Sequence, residues 1–270
     1  MIRKFICILI FALFAQVNTL SAGTTGSEEL TSSSSQDTAS ECFEGVSRAM
    51  FKLNHGLDKV IFEPVAKGYR ALPVPIRKAT GNFTDNLRSL LTLSNNILQG
   101  EFRRAGNNAA RFGINTTAGI LGFFDPAAKL GFEDQGKEDF GQTLGRWGSG
   151  TGCYFVLPIL GPTTTRDAVG LVGNIFLDPV YQITHNTEID NGVVGNANYS
   201  EHNYYYYRGT GAVDFRAKNI ESFDSLEENS IDLYASLKSL YLQNRKQKIL
   251  NSKSTIETQD DSDWEEIDSN

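Results

Sequence analysis

From Phe43 onward, apolar residues recur at alternating steps of three and four, at Phe43, Val46, Met50, Leu53, Leu57 and Val60. Because 3.6 residues complete an α-helical turn, this spacing draws one stripe along a helix, with Glu44, Ser47, Lys52 and Asp58 off it. Pro64 is expected to end that helix. The period returns at Leu87, Leu90, Leu91, Ser94 and Leu98, closing at Gly100, a residue suited to a helix C-terminus. It follows again at Phe102, Ala105, Ala109 and Phe112. Asp125-Pro126 reads as a cap with Pro at the first helical position, opening a short helix through Leu130. Thr164 with Asp167 resembles a capping box ahead of Ala168, Val169, Val172 and Phe176, in a helix stopped before Asp178-Pro179. Val213, Ala217, Ile220 and Phe223, then Leu233, Leu237, Leu240 and Tyr241, describe two more helices separated near Asn229-Ser230. No comparable run of alternating β-branched residues appears, so the chain reads as all-α.

The flanks have a different character. Residues 1–22 run from a cationic start (Arg3, Lys4) through an apolar stretch to Ser21-Ala22, the pattern of a secretory signal peptide. The apolar stretch is short of the roughly 20 residues that cross a bilayer, so an exported chain is expected. Residues 23–41 are Ser/Thr-rich with almost no large apolar side chain, and read as a disordered tether. Residues 251–270 gather seven acids and read as a solvated tail. The folded domain is placed at 42–250. Without Arg3, Lys4 and those seven acids, the formal net charge of −7 falls to a near-neutral 23 basic and 25 acidic groups. A near-neutral body lacks the basic face that nucleic-acid binding through phosphates requires.

Chemistry is sparse. There is no G-x-S-x-G elbow, H-E-x-x-H helix or C-x-x-C pair, and His55, His185 and His202 match no metal or triad spacing. Gly131 to Lys137 meets part of a phosphate-loop pattern, but Glu138 stands where Ser or Thr must contact magnesium and no buried strand precedes it. Catalytic residues, metal and cofactor are therefore all assigned as none. Cys42 and Cys153 are read as two unpaired small hydrophobes, a disulfide being the alternative in an oxidising compartment. Glycine is dense between Gly113 and Gly161, interleaved with the apolar runs Gly119-Ile-Leu-Gly-Phe-Phe124 and Tyr154-Phe-Val-Leu-Pro-Ile-Leu160. These runs are too short to span a bilayer. They read either as core segments joined by glycine turns or as segments for the membrane interface. Tyr204 to Tyr207 is open in the same way, between an aromatic belt and helix packing.

An ordered set of short motifs resembles the MlaA (VacJ) family. It opens with Phe43-Glu-Gly-Val-Ser-Arg-Ala-Met-Phe-Lys-Leu-Asn54 and Pro64-Val-Ala-Lys-Gly-Tyr-Arg70. Asn82-Phe, Asn86-Leu, Leu98-Gln-Gly-Glu-Phe102, Arg111-Phe-Gly-Ile-Asn-Thr-Thr117, Gly122-Phe-Phe-Asp-Pro-Ala127 and Glu138-Asp-Phe-Gly-Gln-Thr-Leu-Gly145 follow. Leu157-Pro, Leu160-Gly-Pro162, Arg166-Asp167, Asp178-Pro179, Asp232-Leu-Tyr and Ser239-Leu-Tyr-Leu-Gln-Asn-Arg245 complete it.

The resemblance implies a ring of amphipathic helices embedded in the inner leaflet of the bacterial outer membrane, with a central channel. It implies a non-enzymatic function: moving phospholipid from the outer leaflet towards a soluble periplasmic lipid-carrier protein, in association with a trimeric outer-membrane porin. The alternative is a porin-associated protein of surface integrity that does not itself move lipid. Lipid or membrane contact is expected at Phe112, Ile114, Ile120, Leu121, Phe123, Phe124, Phe155, Val156, Ile159 and Leu160. The sequence departs from the family pattern at Gly23, which stands where the lipobox cysteine belongs, so membrane attachment through the chain's own helices and partners is expected.

Overall fold

The computed structural model describes residues 39–185 and 201–250. The chain divides into two units, Met1–Gln36 and Asp37–Asn270, and the described residues all belong to the second. The expected leader, most of the tether and the acidic tail lie outside the described residues.

Helix α1 (Glu44–Leu57) does not stop at Pro64. It runs through a π-helical turn (Asp58–Phe62) into α2 (Glu63–Arg70), with Pro64 in the first turn of α2. A proline ring clashes with the carbonyl four residues back and cannot donate a hydrogen bond. Widening the preceding turn relieves both, and there the Glu63 N–H reaches the Asp58 carbonyl five residues back. Helix α3 (Val74–Leu98) and helix α4 (Phe102–Thr117) pack together across a tight connection in which Gly100 takes φ +76°. The two expected caps form: Asp125 accepts from the Ala128 N–H at the start of α5 (Pro126–Lys129), and Thr164 accepts from the Asp167 N–H. Helix α6 (Phe140–Arg146) leads to an antiparallel hairpin of β1 (Tyr154–Leu157) and β2 (Gly161–Thr164), paired from Tyr154↔Thr164 to Leu157↔Gly161. Helices α7 (Thr165–Leu177) and α8 (Pro179–His185) come next. Beyond residue 200, α9 (Glu201–Lys218), α10 (Ile220–Asn229) and α11 (Leu233–Ile249) replace the two expected helices, because the backbone leaves the helical region at Asn219. Among the described residues, the fold is all-α apart from this small hairpin.

Cys42 and Cys153 are bonded, correcting the unpaired reading. Glu41 forms a parallel bridge with Tyr154, which brings Cys42 beside Cys153 with Cα atoms 5.6 Å apart although 111 residues separate them. At the end of the expected tether, Ala39 packs on the Tyr154, Val156 and Tyr234 cluster, and the Glu41 carboxylate accepts from Tyr234 and Lys238.

Packing is inverted relative to an ordinary water-soluble domain. Among the described residues, buried polar and charged side chains outnumber buried apolar ones, and two of the apolar clusters are small: Ala66, Ala217 and Ile220, and Tyr154, Val156 and Tyr234. The apolar stripe of α1 does not form a core. Met50 packs against the second cluster, but Phe43, Val46, Leu53 and Val60 are exposed, as are Val169, Val172 and Phe176 of α7. Isolated exposed apolar residues are ordinary, but stripes of them over a polar interior call for an apolar surrounding. No described helix is long and apolar enough to cross a membrane.

Candidate functional site

Two exposed apolar tips, each held by its own polar groups, are the most distinctive features. The first tip follows α4. Its chain curls back in a left-handed turn, with Ile120 at φ +53°, Leu121 at +59° and Gly122 at +94°. The Leu121 N–H donates to Thr116, the Gly122 N–H to Asn115 and the Phe124 N–H to Gly119. For bulky side chains this conformation costs about 1–3 kcal/mol per residue and persists only where surrounding structure enforces it. Polar side chains of α3 and α4 do so. Asn86 Nδ2 donates to Thr116 Oγ1 at 2.9 Å, Asn82 Nδ2 to the Phe123 carbonyl at 3.3 Å, and Phe83 stacks on Phe123. A Cβ on Gly122 would lie 2.6 Å from the Asn86 side chain, so only glycine fits. Below the turn, Asp125 receives Arg111 Nη2 at 2.7 Å and Asn115 Nδ2 at 2.9 Å. Burial would raise the Asp125 pKa, but the Asn115 and Arg111 hydrogen bonds outweigh it and hold the carboxylate below its ordinary range. The result is that Ile120 and Leu121 remain 62% and 59% exposed.

The second tip joins β1 to β2. Ile159 is also left-handed, at φ +66°, and Ile159 and Leu160 are 69% and 68% exposed. One side chain clamps this tip from α1: Asn54 Nδ2 donates to the Leu157 carbonyl at 2.8 Å, and Asn54 Oδ1 accepts from the Ile159 N–H at 2.7 Å. The Cys42–Cys153 bond ties the start of α1 to the residue preceding β1.

A separate buried polar network is organised around Arg245 of α11. Its guanidinium makes a two-pronged pair with Asp139 at 2.6 and 2.9 Å and reaches Asp167 at 2.7 and 3.0 Å. Tyr241 donates to Asp167 at 2.6 Å, and Asp139 also caps α6. Burial opposes ionisation of both acids, but Arg245 outweighs it and holds both carboxyls below the usual range. Close approach of α6 and α7 makes this possible, since a Cβ on Gly170 would lie 2.4 Å from the Gly141 amide nitrogen. On the α3 side, Thr143 donates to Asn95 at 2.7 Å, while Glu138 accepts from Gln99 and faces Arg104. Burial pushes Glu138 upward despite those partners.

The expected contact residues divide accordingly. Ile120, Leu121, Phe123, Phe124, Ile159 and Leu160 are exposed, and Phe112, Ile114 and Phe155 are partly buried. Val156, only 5% exposed, packs in the core with Tyr154 and Tyr234. Tyr204 to Tyr207 serve both readings: Tyr205 and Tyr206 are exposed, whereas Tyr204 packs on Tyr181 and His185. Lys137, in the phosphate-loop look-alike, pairs with Asp85. Asn54, Asn82, Asn86, Asn115, Asp139 and Arg245 all fall within the family motifs, but spacing alone gives them no role. Their signal is the repeated placement of amides among apolar helix positions, where an unpaired polar group would be costly.

Residues 39–248 match the family model described as MlaA lipoprotein, nearly the whole folded unit. The chain belongs to the MlaA lipoprotein family. It is 31% identical over 217 residues to the intermembrane phospholipid transport system lipoprotein MlaA of Haemophilus influenzae, covering 79% of this chain and 80% of that one. An uncharacterised protein of Rickettsia prowazekii is 38% identical over 146 residues, which span 53% of this chain and 58% of the relative. The chain thus aligns with less than two thirds of the length of several of its MlaA-family relatives, including 57% of MlaA of Escherichia coli. A solved structure described as the structural basis for maintenance of bacterial outer membrane lipid asymmetry superposes with a TM-score of 0.63 at 28% identity, covering 78% of this chain and 99% of that one. The mostly helical fold of that structure is therefore shared.

Proposed function

We propose that this chain moves phospholipid non-enzymatically at the bacterial outer membrane, lying on its periplasmic face with the apolar tips in the inner leaflet. Lipid withdrawn from the outer leaflet passes through a central channel in a ring of helices towards a soluble periplasmic carrier, beside a trimeric porin. The single observation that carries this reading is the pair of strained tips: Ile120, Leu121 and Ile159 are held exposed in left-handed conformations. Water gives no reason to stabilise such an arrangement, whereas a bilayer interface does, at roughly 25 cal/mol per Å² of apolar surface removed from water. A polar interior beneath an apolar exterior suits a headgroup passing inside while acyl chains meet apolar side chains. No covalent step is needed. The relatives' role in phospholipid transport and lipid asymmetry supports the same reading.

The test is to express the full chain, fractionate the cells, and measure outer-membrane recovery, porin co-purification and bound phospholipid, alongside the variant Ile120→Asp with Leu121→Asp. Recovery of the wild type with lipid, and at least severalfold less lipid on the variant, is expected. Porin association without lipid would favour the surface-integrity role and overturn the conduit.

A further inference from the structure

The aromatic cluster between α8 and α9 contains a polar atom that the fold leaves unused. His185 ends α8, and its Nδ1 lies 3.1 Å from the Tyr181 carbonyl oxygen and 3.0 Å from Thr184 Oγ1. A carbonyl can only accept, so Nδ1 carries the proton and donates, which makes Nε2 of the neutral ring an acceptor. That Nε2 is buried and has no hydrogen-bond partner. A buried acceptor without a donor is costly, and a native fold keeps one where something else supplies the donor.

The surrounding side chains select the kind of donor. Tyr181 stacks on the His185 ring at 3.9 Å, while Tyr204 and Tyr205 of α9 stand at 83° and 76° to it, with centroids 5.7 and 6.1 Å away. Tyr204 and Tyr205 are themselves 6.0 Å apart at 74°, so the three rings meet nearly at right angles, as the walls of a corner do. Aromatic faces attract a cation within about 6 Å of the ring centroid. Tyr205 is 61% exposed and His185 is only partly buried, so the cluster borders the surface. Asp178, which precedes α8 and accepts from the Val180 N–H at 3.0 Å, adds a buried carboxylate whose charge acts on Tyr204. Arg208, one turn beyond Tyr204, is the opposing cation there, and it is exposed.

We propose that His185, Tyr204 and Tyr205 form a subsite for a primary ammonium group, supplied by an ethanolamine lipid headgroup or by a free amine. The ammonium N–H donates to His185 Nε2, and its charge lies against the tyrosine faces. A choline headgroup brings the same charge without an N–H, so it gains the rings but not Nε2. An anionic headgroup gains neither. The inference rests on the lipid-carrying reading and adds headgroup selectivity to it.

The test uses the full chain in non-ionic detergent, titrated with the dihexanoyl forms of phosphatidylethanolamine, phosphatidylcholine and phosphatidylglycerol, and with ethanolamine. Wild type is expected to bind phosphatidylethanolamine about tenfold more tightly than phosphatidylcholine, a difference of the size expected from one hydrogen bond to a charged group. His185→Phe keeps an aromatic ring but removes the acceptor, so it should bring phosphatidylethanolamine down to the affinity of phosphatidylcholine and leave the latter unchanged. Tyr205→Ala should weaken both. Displacement of phosphatidylethanolamine by ethanolamine supports a site that also takes the free amine, and its absence supports one that takes the ammonium only on a lipid. Equal affinities for the ethanolamine and choline lipids in wild type, or a folded His185→Phe that keeps the preference, would overturn the subsite. Should the variant not fold, nitrogen-15 NMR of the wild type still decides. Of the three histidines, one should show an Nε2 resonance that moves with phosphatidylethanolamine and not with phosphatidylcholine, and a spectrum without that difference contradicts the site. Failure of the lipid-carrying reading is distinct, since no phospholipid would then bind whatever its headgroup.

Discussion

Arg245 joins α11 to α6 and α7 by holding two carboxylates that would otherwise repel each other in a desolvated space. Replacing it by Met removes the cation and leaves Asp139 and Asp167 uncompensated, the costly way to break a buried pair. Arg245→Met is expected to lose about 3–5 kcal/mol of unfolding free energy at neutral pH, measured by urea denaturation. The pH dependence has a definite sign. The folded pKa of Asp139 is depressed, so its contribution is fully present above the unfolded carboxylate value of about 3.9 and is lost as pH falls below it. The gap between wild type and Arg245→Met should therefore narrow on acidification below about pH 4. A gap that stays constant across that range would show that packing of the guanidinium stem, and not charge, carries the effect.

The elements differ in how readily their sequence declares them. The short helix at Pro126 and the one at Thr165 announce themselves through Asp125 and Thr164, because a capping side chain acts within three residues of itself. The passage through Pro64 is illegible, since it depends on a π-turn that local spacing does not encode. The hairpin is hidden because strands of four residues are too short to show a period, and the Cys42–Cys153 bond because it depends on the fold bringing distant segments together. The stripe on α1 is legible as a helix face, but spacing cannot say whether that face meets a protein core or lipid. At the tip after α4 this ambiguity becomes a prediction. Ile120→Gly removes a Cβ from a left-handed position, relieving about 1 kcal/mol or more that outweighs the added chain entropy of glycine. Its thermal midpoint should equal or exceed that of wild type while vesicle binding falls. A substitution that only damaged the fold would lower both.

At the scale of the whole molecule, the polar interior and apolar exterior predict how the chain meets a membrane. The formal charge is −7, so simple electrostatic adsorption to an acidic bilayer is unfavourable, and no described helix spans one. We predict that binding comes from insertion of the exposed apolar tips and helix faces, which salt does not screen. In a flotation assay, the chain should co-float with phosphatidylcholine vesicles and with phosphatidylglycerol-containing vesicles. It should remain bound at about 1 M salt, where the Debye length is near 3 Å. Combining Ile120→Asp and Leu121→Asp with Ile159→Asp and Leu160→Asp should abolish flotation, because charged groups at the interface must then be desolvated. Release of the wild type by salt would instead mean that its membrane contact is electrostatic. In that case the strained tips would need an apolar protein partner to account for their exposure.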